Sequence, residues 1–341
     1  MRAFVIHGPG DAGVEDVEPP NAGSGEVIVE VARVGICGTD LECFTGEMAY
    51  LGTGRIAFPL RIGHEWSGRV AHVGEGVDPG WLGRRTTGDT MLGCGRCRHC
   101  LAGRHHLCAD LAELGFHPDW PGAIAERVRV PVSSLHPLPD AVDDPAGALV
   151  EPGGNAWRAA AATAARPGDR VLVLGAGTIG LLSARFLMVL GVEAHVVGRS
   201  ASTLAFARTF GLGGVWAADE IPDGPWDAVV DATDDPAAPA TALDLVEPGG
   251  RVVAIGLAGR PSPLDARTIT LKDVTLLGIL GGSAGLDGAI EAYASGEVDP
   301  GPLVGSTIGL DDLAEAMAAF VDGRRPAGSG PGPKLLVDPR A

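Results

Sequence analysis

The sequence predicts an α/β protein of two domains, one of them built on a doubly wound parallel sheet. Three observations carry this reading. The 341 residues exceed what a single hydrophobic core usually serves. A β-branched run, Arg170 to Leu174, leads through the glycines of "GAGTIG" into a long apolar segment with helical character. Apolar runs then recur at "AHVVG", "GVWAA", "DAVVDA", "RVVAIG" and "TLLGIL", with helical or turn-rich segments between them, which makes six candidate parallel strands.

The first strand and its turn read as G-x-G-x-x-G between strand and helix. Gly175 allows the tight turn, Gly177 lets backbone approach a pyrophosphate, and Gly180 lets helix and strand pack closely. With Thr178 and Ile179 these are the candidate dinucleotide-binding residues, the helix N-terminus facing the phosphates. The second strand ends at Arg199 and Ser200, where an enzyme using NAD would place an acidic residue on the ribose 2′-OH. A guanidinium and a hydroxyl suit a 2′-phosphate instead, so the sequence predicts NADP in preference to NAD. Asp231, Thr233 and the turns at Gly256 and Gly281 end later strands and are expected to line the nicotinamide pocket.

A hydrophobic content of 45% with 52 glycines describes a compact, loop-rich globule and excludes a disordered chain. The net charge of −17 excludes a duplex nucleic acid or an anionic membrane as partner, since either needs clustered Lys and Arg. The amino terminus "MRAFVIHGPG" lacks the charged leader and apolar core of a secretion signal, which predicts a cytoplasmic protein. The longest apolar run, "LLSARFLMVLG", is broken by Ser183 and Arg185 and is too short to span a bilayer.

Four of the six cysteines lie between Cys94 and Cys108 as C-x2-C-x2-C-x7-C. Cys94, Cys97, Cys100 and Cys108 can wrap one Zn2+ tetrahedrally, and a closed four-sulfur shell supplies folding free energy and no chemistry. An iron–sulfur cluster is the rival reading, although the ferredoxin spacings differ. A second constellation comprises Cys37, Thr39, Asp40 and Glu42 in "VGICGTDLECF", His64 and Glu65 in "RIGHEWSGRV", and Glu151 in "LVEPGGNAW". A thiolate, an imidazole and one or two carboxylates form a mixed, open set suited to a catalytic zinc.

The ordered motifs GICGTD, GHEWSG, the four-cysteine run, EP and GAGTIG resemble those of the zinc-dependent medium-chain dehydrogenase/reductases, the superfamily of alcohol, polyol, threonine and glucose dehydrogenases. The resemblance covers nearly the whole chain. It implies a GroES-like β-rich catalytic domain over residues 1–151, a Rossmann domain over 152–289, and a return over 290–341 that completes the catalytic domain, with "STIGLDDLAEAMAAFVDG" and "PKLLVD" as strand, capped helix and strand. It implies two zinc ions per chain, Cys37 and His64 as catalytic ligands, and Glu65 and Glu151 both as candidates for the third. Thr39 matches the hydroxyl that takes the substrate proton, and Asp40 the carboxylate that orients the ligand histidine. Glu42 stands where many alcohol dehydrogenases have a relay histidine, as in the GTDxE pattern of the glucose dehydrogenase branch.

The resemblance further implies hydride transfer between a nicotinamide coenzyme and the hydroxyl-bearing carbon of a small alcohol or sugar. A carboxylate in the zinc shell favours a polyol, sugar or cyclitol. "CADLAELGFHPDWPGAIAERVRVPVSSLHPLPD" also resembles the 2-deoxy-scyllo-inosamine dehydrogenases of aminocyclitol pathways. Two other readings are a nucleotide-binding regulator that has lost catalysis, against which Cys37, Thr39, His64 and Glu151 argue, and a zinc-free quinone or enoyl reductase, against which Cys37, His64 and the four-cysteine lobe argue together. The superfamily forms homodimers and homotetramers, commonly through an edge strand, and "TLLGIL" is the interface candidate.

Overall fold

The computed structural model describes residues 1–326 and 328–341. The chain divides into two compact units, Met1–Glu151 with Ile290–Ala341, and Pro152–Ala289. The fold is a GroES-like domain plus a Rossmann-type parallel sheet.

In the first unit, the long strand Glu26–Gly35 is the hub of a seven-stranded sheet, because its alternating valines bury on both sides. It pairs with Glu65–Val73 on one side, with Lys334–Asp338 near its end, and with Arg127–Pro131 along its first half. The register sets Gly35 opposite both Glu65 and Leu336, so three distant stretches of sequence meet at one point. Phe4, Ile6, Ile62, Trp66, Leu114 and Ile124 fill the core beneath, all fully buried. The 290–341 segment forms the strand Val304–Gly309, the helix Leu313–Val321 and the strand Lys334–Asp338. The expected side-chain cap on that helix is missing: the 3-10 turn Leu310–Asp312 winds directly into it, and Asp312 is itself in the helical region.

The second unit is a six-stranded parallel sheet. Its spatial order is Gly214–Ala217, Glu193–Gly198, Arg170–Leu174, Ala228–Asp231, Arg251–Ala254 and Thr275–Gly278. The order reverses beside the first strand, the topological switch point where such sheets bind ligands. The helix Thr178–Val189 buries Leu181, Leu182, Phe186 and Leu187. Among the described residues no helix is long and apolar enough to cross a membrane.

Candidate active site and metal centres

The four-cysteine segment is closed at its neck by the antiparallel pair Met91–Leu92 and Ala112–Glu113. Within it the four sulfurs lie within 4.8 Å of one another. Cys97 Sγ is 3.5 Å from Cys100 Sγ and 3.9 Å from Cys108 Sγ. A tetrahedral zinc with bonds of about 2.3 Å needs sulfurs about 3.8 Å apart, so the cage fits that ion. Backbone N–H groups of Arg96 and Cys97 draw the Cys94 thiol down to about 6, whereas burial pushes Cys100 up to about 12. Uptake of zinc would therefore displace a proton at Cys100. The sixth cysteine, Cys43, is buried and raised to about 12 by desolvation, an inert core thiol.

The second cluster joins Cys37, His64 and Glu65, whose ligand atoms also lie within 4.8 Å of one another. Asp40, fully buried on the helix Gly38–Thr45, accepts the Cys37 N–H at 2.9 Å and the Gly63 N–H at 3.2 Å. One carboxylate thus fixes two ligand-bearing segments that the sequence separates. Asp40 Oδ1 also faces His64 Nδ1 at 3.6 Å, which leaves Nε2 to bind a metal. Two buried polar atoms here, Thr39 Oγ1 and His64 Nδ1, have no hydrogen-bond partner among the described residues. Such groups are costly unless something polar meets them; Asp40 is the polar group that Nδ1 faces, and a substrate hydroxyl held at the metal would meet Thr39. Glu42 is exposed on the same helix. Glu151 is buried but outside the three-residue cluster, close enough to act on His64 electrostatically.

Burial alone would lower the His64 pKa, but Asp40, then Cys37 and Glu151, outweigh it and hold it well above the usual range. The proton must leave before Nε2 can bind zinc. Metal affinity at this cluster is therefore expected to rise with pH and to weaken steadily as pH falls through that raised pKa. Calorimetry in buffers of different ionisation enthalpy should show proton release on zinc binding, and none would refute the expectation.

Sequence reasoning missed the group that neutralises Glu65. Lys334 Nζ, 5% exposed, donates to Glu65 Oε1 at 2.8 Å, to Oε2 at 2.7 Å and to the Ile36 carbonyl at 3.0 Å. Burial depresses the ammonium, and the coulombic pull of Glu65 more than restores it, so its pKa is raised. The available signal was composition: Lys334 is one of only two lysines, and it opens an apolar strand. Lys334→Met is expected to cost about 3–5 kcal/mol by urea denaturation, since it strands a buried carboxylate. Adding Glu65→Leu should recover most of that loss without restoring metal binding.

One wall beside the cluster is aromatic. The Phe116 ring lies 5.4 Å from that of His64, and Tyr50 meets Phe116 edge-on at 6.2 Å. The Arg55 guanidinium stacks 4.1 Å from the Tyr50 ring centre and pairs with Glu113 at 3.2 Å. Arg55 and Glu113 thus brace Tyr50, and through it Phe116, behind the histidine.

In the second unit, Gly175 has φ +107°, and a Cβ there would sit 2.7 Å from the Ala232 carbonyl. At Gly180 a Cβ would come within 1.9 Å of the Gly175 carbonyl, so only glycine lets the helix approach the strand. Gly177 is the N-cap of Thr178–Val189, with no side-chain cap and nothing within 4 Å of where a Cβ would be. An uncapped N-terminus beside open space fits a pyrophosphate. Thr233 lies against Gly175 and donates to Asp231 Oδ1 at 2.8 Å, while burial raises the Asp231 pKa. Arg199 is 79% exposed and bonds Asp234 at 3.1 Å, a partner not foreseen. The Ser200 hydroxyl accepts the Thr203 N–H at 3.2 Å and caps the helix Ala201–Ala207.

Two family models match: the alcohol dehydrogenase GroES-like domain over residues 23–140, and the zinc-binding dehydrogenase domain over 177–295. The chain is a zinc-dependent medium-chain dehydrogenase/reductase. This dehydrogenase is 30% identical to the L-threonine 3-dehydrogenase of Rhizobium rhizogenes, over 95% of its own length and 96% of that protein's. It is 29% identical to the sorbitol dehydrogenase of Bacillus subtilis, over 93% and 92%. Among solved structures, it matches a zinc-binding dehydrogenase from Sinorhizobium meliloti bound to NADP with a TM-score of 0.87, at 27% identity over 99% of each chain. An alcohol dehydrogenase from Escherichia coli complexed with NADH matches at 0.88, also at 27% identity over 99% of each chain. It is an oxidoreductase of the zinc-binding dehydrogenase family.

Proposed function

We propose that this dehydrogenase transfers hydride between NADP(H) and the secondary alcohol or anomeric carbon of a polyol, sugar or cyclitol. The observation that carries the proposal is the Cys37–His64–Glu65 cluster with the orphaned Thr39 hydroxyl beside it. When bound, zinc supplies Lewis acidity at the substrate hydroxyl and the coenzyme exchanges hydride. Cys37 and His64 would hold that ion with Glu65 as the third ligand, and Glu151, near enough to act on His64, is the alternative carboxylate. Thr39 Oγ1 receives the substrate proton, Asp40 keeps His64 oriented, and Phe116 and Tyr50 exclude water from the reacting carbon. Cys94, Cys97, Cys100 and Cys108 hold the second zinc of each chain. The carboxylate of the metal cluster supports a polyhydroxylated substrate, as does likeness to sorbitol dehydrogenase.

The test is NADP+ reduction across sugars, linear polyols, cyclitols and their aminated forms in zinc-loaded protein, with NAD+ in parallel. Turnover confined to simple apolar alcohols would overturn the substrate class. Gly175, Gly177, Thr178, Ile179 and Gly180 form the pyrophosphate turn in this reading, with Thr233 beside it. Arg199 reads the 2′-phosphate by exchanging its Asp234 partner for the phosphate. Arg199→Asp is then expected to swing the NADP/NAD ratio of kcat/KM toward NAD by roughly 10- to 100-fold; an unchanged ratio would remove Arg199 from the cofactor site.

Among the described residues the edge strand Thr275–Gly278 pairs on one side only, and Leu276, Leu280 and Leu271 are 37%, 56% and 85% exposed. We read this edge as the interface of a homodimer, or of each pair within a homotetramer.

A further inference from the structure

The first unit contains a cavity of about 630 Å³, within the size range of small-molecule sites, that the proposed reaction does not use. Its wall includes His7, Glu15, Glu18, Arg55, Arg61 and His117, and none of Cys37, His64, Glu65 or Glu151. Most of its charges are already satisfied. His7 pairs with Glu15, and Arg55 with Glu113, while Glu18 is exposed.

Arg61 differs. Its side chain is half-buried, and among the described residues it has neither an ion pair nor a hydrogen-bond acceptor. Desolvation alone lowers its guanidinium, with no carboxylate near enough to offset the effect. The other partly buried arginines of this unit are treated otherwise: Arg33 holds Asp338 at 2.7 Å, Arg85 holds Asp144 at 3.0 Å and Arg129 holds Glu26 at 3.3 Å. A half-buried cation without a counter-charge is costly in a protein otherwise rich in carboxylates. The segment that presents it is also fixed. The Arg61 carbonyl accepts the Gly122 N–H at 2.7 Å, and Leu60 pairs with Ile6 through both of its backbone groups. Across the cavity His117 Nδ1 accepts the Asp119 N–H, which leaves the ring proton on Nε2 as a second donor.

We propose that this cavity binds a small oxyanion, a carboxylate or a phosphate, with Arg61 as its charge partner and His117 as a second donor. The site is separate from the metal cluster and goes beyond the proposed reaction.

The test is isothermal titration of the full-length, zinc-loaded protein with inorganic phosphate and with malonate, at an ionic strength held constant with sodium chloride. Saturable binding of either anion is expected, and the one that binds identifies the class. Arg61→Gln should weaken it roughly 10- to 100-fold, and Arg61→Lys should keep part of it. Unchanged zinc content shows that the variants are folded. Should Arg61→Gln fail to fold, Ala57→Trp, placed at an exposed position of the same wall, should abolish binding by filling the cavity. No saturable binding of either anion, or equal binding in the folded variants, would overturn the proposal.

Discussion

Cys37→Ser is expected to cut turnover by at least about a thousandfold while zinc content falls from two ions per chain to one. The reasoning begins with softness. A serine hydroxyl stays protonated where a thiol ionises, so the cluster loses the anionic ligand that anchors the ion. Asp40 still accepts the backbone N–H of residue 37, because that bond does not involve the side chain. The helix Gly38–Thr45 should therefore form as before, and thermal stability should fall far less than activity. Metal analysis beside steady-state kinetics makes the check. Full zinc content with full loss of turnover would mean that Cys37 acts chemically and not as a ligand, and retained turnover would discard the cluster as the active site.

Cys100→Ser should do the reverse. Cys100 is one of the two buried members of its cage, and its Sγ lies 3.5 Å from that of Cys97, so removing it opens the zinc shell from within. Besides the metal, the segment is held by a two-residue strand pair at its neck, a helical turn at Arg98–Leu101, a 3-10 turn at His105–Leu107 and the His105–Asp89 pair at 3.0 Å. The loss is expected to exceed roughly 4 kcal/mol, with one zinc released. Limited proteolysis should cut between Gly93 and Cys108 in the variant and spare the parent protein. Equal protease resistance in both would show that the lobe folds without its metal.

The contrast between the two metal sites explains what the sequence could reveal. Four cysteines within one short segment advertise themselves because the chain need only fold back on itself. Cys37 and His64 are far apart in sequence, and only sheet register and the bridging Asp40 bring them together; without a family resemblance, neither would stand out from a core thiol and a buried imidazole. The six parallel strands were legible because buried β-branched runs between turns are a local signal. Lys334 was not, since its meaning depends on a side-chain contact with Glu65, 269 residues away. Ser200 has a second role that its position also allows: a hydroxyl at the start of a helix can serve a cap as well as a ligand, and here it caps Ala201–Ala207. Asp234, on the loop after Ala228–Asp231, reaches Arg199 only because the sheet brings their loops close.

The Lys334–Glu65 pair also orders events during synthesis. The polypeptide that forms the parallel sheet, Pro152–Ala289, is continuous, so it can collapse while the ribosome is still translating the C-terminal residues. The unit that holds both metal clusters cannot finish then. Glu65 emerges early and waits, with its burial site lacking a counter-ion, until residue 334 has cleared the exit tunnel. Nascent chains would thus carry a finished nucleotide fold beside an unfinished catalytic one, and metal capture at Cys37 becomes a late step in maturation.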